Sequence, residues 1–273
     1  MDRRTFLGAL LTTSLTACAS GRAGTPFASP VTASTAPSSA APIPAVTSAP
    51  AADDLARAAA VKVFFGHQSV GRNIIKGVNA LFKGPASGLT IVELTDAQPE
   101  PPAGEGGYLA HAKLGKNEDP YGKIEDFDAM VRGGLGDVVE VGLMKLCYVD
   151  VTAGTQVTAL FDAYRDTLTA LERDFTRVRF LHATVPLTTA QTENNVLREE
   201  YNALLRREYG AAVYDLAALE STAPDGSRVG GRDSAGHQYF QLYEAYTSDG
   251  GHLNTLGARV AALPLLRLIA ESG

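Results

Sequence analysis

The sequence predicts an α/β fold, a three-layer α/β/α sandwich in which helices cover both faces of a parallel five-stranded sheet. Two observations predict it. From about residue 56, short runs of β-branched and aromatic residues alternate with longer segments whose apolar residues recur every three or four positions. The short runs are apolar on nearly every residue, which is typical of parallel strands buried on both faces. This strand–helix alternation places the chain among the α/β proteins.

The predicted elements follow one another along the chain. Strands are predicted at residues 61–65, 89–94, 137–144, 178–185 and 212–216. Helices are predicted at residues 72–82, 121–131, 155–175, 193–209 and 253–271, the last capped by Asn254 or Thr255. Residues 95–120 are rich in Pro and Gly without periodicity, and we expect a long functional or mobile loop there. A flavodoxin-like strand order of 2-1-3-4-5 is expected, with a ligand crevice between strands one and three.

The first 17 residues are typical of an export signal. Arg3 and Arg4 precede a short apolar segment, residues 6–17, that ends in small residues. The arginine pair resembles a twin-arginine signal, and the run from Leu15 to Cys18 resembles a bacterial lipobox. We therefore expect lipidation of Cys18 and export to a bacterial membrane, facing the periplasm or the cell surface. A buried N-terminal helix is the alternative, but the next segment offers it nothing to pack on.

Residues 18–54 consist mainly of Ala, Ser, Thr and Pro. They contain almost no large side chain except Phe27 and Ile43. Such a stretch cannot bury enough apolar surface to offset the entropy of ordering it. It is predicted to be a disordered tether that joins the lipid anchor to a single domain at residues 55–273.

Charge and cysteine content exclude several classes of partner. The 24 basic and 30 acidic residues give a net charge of −6, which argues against nucleic acid as a partner. With Cys18 assigned to lipidation, Cys147 is the one remaining thiol, so no internal disulfide is expected. No cofactor and no metal are predicted, and the sequence leaves the oligomeric state open.

The stretch Asp249-Gly250-Gly251-His252 carries the most specific chemical signal. An acid three residues before a histidine sets a carboxylate beside an imidazole on a tight turn. A serine nucleophile needs that pair, because the histidine removes the hydroxyl proton and the carboxylate holds the ring in one tautomer. Ser69 follows strand one, at the edge where the crevice is expected. Taken alone, the turn is usually no more than a solvated Asp with a capping His, and the alternative for Ser69 is a serine that caps the following helix.

Two segments together resemble the SGNH/GDSL hydrolases, and in particular a bacterial subgroup of exported, SGNH-hydrolase-like proteins. They are Gly66-His67-Gln68-Ser69-Val70-Gly71 and Tyr246-Thr247-Ser248-Asp249-Gly250-Gly251-His252-Leu253-Asn254. The resemblance covers roughly residues 61–272. It implies the SGNH hydrolase fold, with Ser69 as nucleophile, His252 as base and Asp249 as the acid that orients the base.

The resemblance also implies an oxyanion hole, which this sequence matches only in part. In the family it is formed by the N–H of the nucleophile, a glycine N–H and an asparagine side chain. Gly115 is the candidate glycine. The asparagine expected after strand three is missing, because the chain reads Met144-Lys145-Leu146-Cys147 there, and His67-Gln68-Ser69 replaces the usual Gly-Asp-Ser. Lys145 or Asn117 is then the candidate donor to the developing anion.

Several further residues have two interpretations. His67 either binds substrate or packs beside the nucleophile, and His111, in the predicted loop, is a candidate to line the pocket. A metal site built from His67, His111 and Asp249 is a weaker alternative, because their spacing does not match a ligand pattern. Cys147 as a thiol nucleophile is also weaker, since a lone cysteine at the end of a buried strand usually packs. His182, inside strand four, is predicted to be a hydrogen-bonded core histidine.

These features predict a lipid-anchored, exported serine esterase. It would hydrolyse or transfer acyl esters, and its location and the resemblance suggest short acyl groups on extracytoplasmic glycans as the substrate. The rival prediction is a non-catalytic surface lipoprotein that binds glycan in the same crevice. The missing asparagine favours the rival, whereas the serine, the acid and the histidine favour the esterase.

Overall fold

Six parallel strands and the helices that flank them account for most of the computed structural model, which describes residues 52–82, 88–95 and 100–273. The helices are α1 (Ala52–Ala60), α2 (Ser69–Leu81), α3 (Pro120–Met130), α4 (Gly136–Val138), α5 (Val157–Asp174), α6 (Thr192–Tyr209), α7 (Leu216–Glu220) and α8 (Thr255–Ala270). The strands are β1 (Lys62–His67), β2 (Thr90–Glu93), β3 (Tyr108–Lys113), β4 (Val141–Met144), β5 (Arg179–Ala183), β6 (Val213–Tyr214), β7 (Gly230–Arg232) and β8 (Gln238–Phe240).

The main sheet has the strand order β2-β3-β1-β4-β5-β6, and each neighbouring pair is parallel. The predicted α/β sandwich with a parallel sheet is therefore confirmed, but the sheet has six strands rather than five. The additional strand is β3, which lies within residues 95–120, where we expected a loop. It separates β2 from β1, and without it the remaining order is the flavodoxin-like one. Strands β7 and β8 form a separate antiparallel hairpin.

The composition of β3 explains why the sequence did not reveal it. The strand reads Tyr-Leu-Ala-His-Ala-Lys, with alanine and histidine where β-branched residues would mark a strand. Its first five residues are nevertheless buried. That burial is a tertiary effect: β3 lies between β1 and β2 inside the sheet, with Leu109 in the core on one face and Tyr108 and Ala110 in the core on the other.

Successive side chains of β1 point to opposite faces of the sheet, and each face carries its own core. Val63 and Phe65 belong to the core that α1, α2 and α8 cover, whereas Phe64 stacks on Phe127 of α3, with ring centroids 5.6 Å apart, in the core beneath α3, α5 and α6. Helices α2 and α8 pack directly on each other. A Cβ at Gly77 of α2 would overlap the backbone of α8, so glycine permits this close approach. One face of the sheet thus carries both the start of α2 and the turn that precedes α8.

The described part of the chain begins with helix α1 at residue 52. Helix α1 includes the last three residues of the predicted tether, and its Leu55 and Ala58 are buried in the core. The Arg267 guanidinium of α8 lies 3.5 Å from the Asp54 carboxylate. The predicted export signal, Cys18 and the rest of the tether lie outside the described residues. Within the described ranges, none of the helices is both long and apolar enough to cross a membrane.

Candidate active site

Ser69 lies at the junction of β1 and α2, at the carboxyl edge of the sheet. Strand β1 ends at His67, Gln68 has an extended backbone (φ −126°, ψ −151°), and Ser69 is the first residue of α2. Gln68 does not cap the helix with its side chain. Its amide instead donates to the carbonyl oxygens of Leu114 (2.5 Å) and Gly115 (2.9 Å). The first turn of α2 therefore keeps N–H groups without a side-chain cap, and such a helix start favours an anion.

The turn from Asp249 to His252 is organised by one carboxylate. Asp249 Oδ1 accepts hydrogen bonds from the backbone N–H of His252 (2.8 Å) and of Gly251 (3.0 Å). Its Oδ2 lies 2.7 Å from Nδ1 of the His252 ring. These hydrogen bonds, led by the one from the His252 backbone, hold the pKa of Asp249 well below its usual range. Gly250 has φ +86°, a conformation that glycine adopts without steric cost.

A second short contact joins this turn to the start of α2. His252 Nε2 lies 2.9 Å from Ser69 Oγ. Because Nδ1 faces the Asp249 carboxylate, which can only accept, a neutral His252 carries its proton on Nδ1, and Nε2 accepts from the Ser69 hydroxyl. The structure thus brings the three residues singled out in the sequence into one hydrogen-bonded chain. This chain is the arrangement that activates a serine hydroxyl for attack.

The structure does not leave Gly115 available as an oxyanion donor. Its N–H donates to the Asp126 carboxylate (2.7 Å), and its carbonyl accepts from Gln68 (2.9 Å). The role predicted for Gly115 is therefore corrected, since a charged acceptor at α3 already occupies the N–H group. Gly115 supports the segment before Ser69 instead, and its φ of +44° suits the glycine there.

Lys145 is neither a solvated strand end nor a group that faces the crevice. Its side chain is fully buried. The ammonium donates to the carbonyl oxygen of Leu146 (2.9 Å) and lies 3.7 Å from Cys147 Sγ. Lys145 is therefore not placed as a donor to an oxyanion. Cys147 is buried as well, in agreement with its interpretation as a packing residue.

Asn117 is exposed, and its side-chain oxygen accepts from Lys123 Nζ (3.2 Å). Lys123 in turn forms a fully buried salt bridge with Asp150 (2.6 Å). The same carboxylate accepts from the backbone N–H of Cys147 (2.6 Å) and of Glu118 (3.0 Å). It thus ties the loop after β3 to the loop after β4. Asn117 belongs to this network, and its observed partner is Lys123 rather than a member of the triad.

His67 and His111 pack against each other beneath the nucleophile segment. Their exposed fractions are 0% and 6%, and His67 Nε2 lies 3.1 Å from His111 Nδ1. His67 Nδ1 donates to the carbonyl of Gln68 (2.7 Å), so Nε2 accepts from His111. Burial lowers the pKa of His67 to about 3 and also lowers that of His111. His67 therefore packs rather than binds substrate, and His111 belongs to a strand rather than to a loop.

His182 is the core histidine that the sequence predicted. Its side chain is buried, Nδ1 lies 2.9 Å from the Tyr164 hydroxyl, and its ring stacks on Tyr209 with centroids 3.4 Å apart. Burial lowers its pKa to about 3. Across the described ranges, no group of three or more histidine, cysteine, aspartate or glutamate side chains is arranged to hold a metal ion.

Sequence reasoning missed Tyr148 and the groove beside it. The Tyr148 ring meets the His252 ring edge-on, with centroids 5.8 Å apart and planes at 74°. Tyr148 also lines a surface groove of about 660 Å³. The polar side chains of this groove include Glu118, Gln156, Gln191, Asn194 and Arg198. The triad therefore adjoins a groove large enough for the remainder of a small substrate.

Both non-glycine residues with positive φ in the described ranges line this groove. They are Glu118 (φ 68°) and Gln191 (φ 63°). Such conformations cost on the order of 1–3 kcal/mol and persist where surrounding contacts fix them, often at binding sites. The Glu118 N–H donates to Asp150, and Gln191 Oε1 accepts from Arg198 Nη2 (3.3 Å). Neither residue type signals a left-handed conformation in a sequence, so the groove could not be anticipated.

An open parallel sheet with a serine after one strand and a histidine–aspartate pair on a turn beside it is an arrangement used by serine hydrolases. No protein-family model matches this chain, and no curated protein matches it. Solved structures do resemble it. A candidate acylhydrolase from Bacteroides fragilis is 14% identical, with a TM-score of 0.49 over 77% of this chain and 86% of that one.

Two further structures show a similar likeness. A candidate platelet activating factor from Streptococcus pneumonia is 14% identical, with a TM-score of 0.48 over 78% of this chain and 89% of that one. A candidate lipolytic protein of the G-D-S-L family from Desulfitobacterium hafniense is 12% identical, with a TM-score of 0.43 over 76% and 99%. At this identity the likeness concerns the fold alone and does not assign an activity to this chain.

Proposed function

We propose that this chain is a serine hydrolase of acyl esters. The observation that supports the proposal is the continuous hydrogen-bonded chain from Ser69 Oγ through both nitrogens of His252 to Asp249, with contacts of 2.9 and 2.7 Å. Hydrogen-bond reach between nucleophile and base, and between base and carboxylate, is the geometric requirement for this chemistry. The site's three side chains come from two segments that are 180 residues apart in sequence yet adjacent in space.

The reaction follows from these contacts. Ser69 Oγ bonds to the carbonyl carbon of the ester while its proton moves to His252 Nε2, and the carbonyl electron pair moves onto the oxygen. The adduct then expels the alcohol, which takes the proton from Nε2 as the C–O bond breaks, and the acyl group stays on Ser69. Water repeats the cycle: it loses a proton to Nε2, bonds to the acyl carbon and releases the acid as Ser69 recovers its proton.

The charge that develops on the carbonyl oxygen needs donors, and the start of α2 is the best placed to supply them. The Ser69 N–H lies at the uncapped positive end of a thirteen-residue helix. Gly115 and Lys145 are engaged elsewhere. One missing donor costs about 10²–10³ in rate in related chemistry. We therefore expect a slow esterase rather than a rate near the diffusion limit.

The groove supports a polar alcohol portion of the substrate. Its lining combines the amides of Gln156, Gln191 and Asn194 with the aromatic rings of Tyr121 and Tyr148, a surface that suits hydroxyl-rich groups better than alkyl chains. A short acyl group on an extracytoplasmic glycan, the substrate suggested by the sequence, fits this lining. Transfer to a sugar hydroxyl in place of water would use the same residues. Export and lipidation through Cys18 are part of the proposal, with the lipid holding the domain at a membrane.

Hydrolysis of p-nitrophenyl acetate by the full chain tests the proposal. We expect Ser69→Ala and His252→Ala each to lower kcat by at least about 10³-fold. The chain offers a matched control, because His237 and Asp233 form a second histidine–aspartate pair (3.0 Å) on the β7–β8 hairpin. His237→Ala should leave the rate unchanged. Equal rates for the wild type, Ser69→Ala and His252→Ala would contradict the proposal.

Gly115 and Lys145 form other hydrogen bonds and do not supply oxyanion donors. This favours a second candidate function, a surface protein that binds glycan without catalysis. In that case a folded wild-type chain would hydrolyse no short-chain ester. It would still bind glycan in the groove, and binding would be insensitive to Ser69→Ala. Isothermal titration of the full chain with acetylated and unacetylated oligosaccharides separates the two candidates, because only an esterase would consume the acetylated one.

A further inference from the structure

Tyr148 occupies the boundary between the triad and the groove. Its ring packs edge-on against His252, and the same side chain lines the groove. Within the described ranges its hydroxyl has no hydrogen-bond partner, although the side chain is half-buried. Tyrosine hydroxyls usually find a hydrogen-bond partner when they become buried, as this one would beneath a bound molecule. An unpartnered hydroxyl beside a catalytic histidine is therefore a group that a bound molecule can use.

The two glycines of the Asp-Gly-Gly-His turn serve different purposes, and the second one serves Tyr148. Gly250 supplies the positive φ that the turn requires. Gly251 has no such conformation, but a Cβ there would lie 2.9 Å from both Cζ and Oη of Tyr148. That distance is shorter than carbon atoms tolerate, so any side chain at residue 251 would displace the tyrosine. Glycine at 251 therefore makes room for Tyr148 to lie against His252.

Tyr148 is also held from behind by a buried arginine. Arg198 Nε donates to the Tyr148 carbonyl (3.0 Å), and the guanidinium lies 5.7 Å from the centroid of the Tyr148 ring. Arg198 is fully buried. Its Nη1 donates to Thr188 Oγ1 (3.0 Å) and Asn195 Oδ1 (2.7 Å), and its Nη2 donates to Gln191 Oε1 (3.3 Å). The position of the tyrosine is thus fixed before any substrate arrives, which is how a specificity-determining group is best presented.

We propose that Tyr148 is a specificity-determining residue for the alcohol portion of the ester and that its ring also positions His252. The inference rests on the proposed function. The leaving oxygen must reach His252 Nε2 to collect its proton, so the alcohol portion lies on the histidine side of the ester, where Tyr148 and the groove meet. The Tyr148 hydroxyl is then placed to hydrogen-bond a hydroxyl of that alcohol, while the acyl group lies on the other side.

A matched pair of esters tests the proposal. Propyl acetate and glycerol monoacetate share the acyl group and the three-carbon chain, and they differ in the hydroxyls of the alcohol. In Tyr148→Phe, we expect KM for glycerol monoacetate to rise about two- to tenfold, the worth of one hydrogen bond. KM for propyl acetate and kcat for both esters should stay unchanged. Tyr239→Phe, on the β7–β8 hairpin and outside the groove lining, is the control and should alter neither ester.

The role of the ring is tested separately by Tyr148→Ala and Gly251→Ala. Each should lower kcat for both esters by about two- to tenfold, because each removes the edge contact that holds His252. The double variant should lose no more than either single variant, since both changes remove the same contact. If the losses of kcat were additive in the double variant, the pairing of Gly251 with Tyr148 would be overturned. If Tyr148→Phe changed KM equally for both esters, the specificity role of Tyr148 would be overturned. Absence of any Ser69-dependent hydrolysis in the wild type would instead remove the proposed function, and this inference with it.

Discussion

Lys123→Met should destabilise the domain strongly, although Lys123 is not one of the proposed catalytic residues. The side chains of Lys123 and Asp150 are both 0% exposed, and Nζ lies 2.7 and 2.6 Å from the two carboxylate oxygens. Methionine keeps most of the volume of lysine but removes the ammonium. The carboxylate is then left buried with only the N–H groups of Cys147 and Glu118 as donors.

The expected magnitude follows from that uncompensated charge. Removing one partner of a buried ion pair costs about 3–5 kcal/mol. For a domain of this length each kcal/mol lowers Tm by roughly 2–4 °C, so the expected loss is roughly 6–20 °C. Thermal and urea unfolding followed by circular dichroism would measure it. The double variant Lys123→Met, Asp150→Asn should recover part of the loss, because it removes the stranded charge as well.

An exposed ion pair supplies the control. Arg165 lies 2.9 Å from Asp162, with the two side chains 37% and 46% exposed, and water screens such a pair. Arg165→Met should leave the unfolding midpoint nearly unchanged. A loss below about 1 kcal/mol in Lys123→Met would refute the reasoning, since it would mean that Asp150 finds water or another cation when Lys123 is absent.

Three further changes have defined outcomes. Asp249→Asn should lower kcat for p-nitrophenyl acetate by about 10²–10⁴-fold with little change in KM. The reason is that an amide nitrogen facing His252 Nδ1 stabilises the wrong tautomer of the ring. A loss under threefold would contradict the role of Asp249 in orienting His252. Gly250→Ala should cost at least about 1–2 kcal/mol for its φ of +86° and should also lower kcat. Gly226→Ala, with a φ of +85° and open space around its Cβ, should cost no more and leave kcat unchanged. Burial raises the pKa of Glu220 from 4.5 to about 8. Between pH 4.5 and about pH 8, the folded chain therefore keeps a proton on Glu220 that the unfolded chain has released. Stability measured by urea unfolding should therefore fall as pH rises through this window, by up to about 1.4 kcal/mol per pH unit, and Glu220→Gln should remove that slope.

The hydrogen-bonded chain of Ser69, His252 and Asp249 could be anticipated from the sequence because both of its segments carry local signals. Asp249 and His252 lie three residues apart on a turn that two glycines mark, and Ser69 follows a strand whose apolar run is unmistakable. The parallel topology then brings both segments to one sheet edge. The sequence also predicted the buried environment of His182, since the residue lies inside a continuous apolar strand.

What the sequence could not reveal depends on tertiary contacts. Strand β3 contains alanine and histidine and is buried because the fold places it between β1 and β2, with a core on each face of the sheet. The N–H of Gly115 cannot serve an oxyanion hole because α3 brings the Asp126 carboxylate within 2.7 Å, and the N–H donates to it. Lys145 at the end of a strand predicts a solvated or pocket-facing ammonium, yet the fold buries it against the Leu146 carbonyl.

Tyr148 illustrates the same limit at the site itself. It has no motif of its own, and its significance depends on two neighbours from distant parts of the chain, Gly251 and Arg198. The second glycine of the turn was a usable signal, because one positive φ needs only one glycine. The partner that requires the other glycine becomes identifiable only when the loop after β4 is seen against it.

Covalent labelling of the full chain with a fluorophosphonate, followed by peptide mass spectrometry, tests the central claim most directly. An activated serine hydroxyl displaces fluoride from phosphorus and keeps the phosphonyl group, so the label reports nucleophilicity without assuming any natural substrate. We expect one adduct, on Ser69, that forms at least about 10²-fold more slowly in His252→Ala and is absent in Ser69→Ala. Labelling at another residue, or labelling of Ser69 at the same rate without His252, would contradict the account.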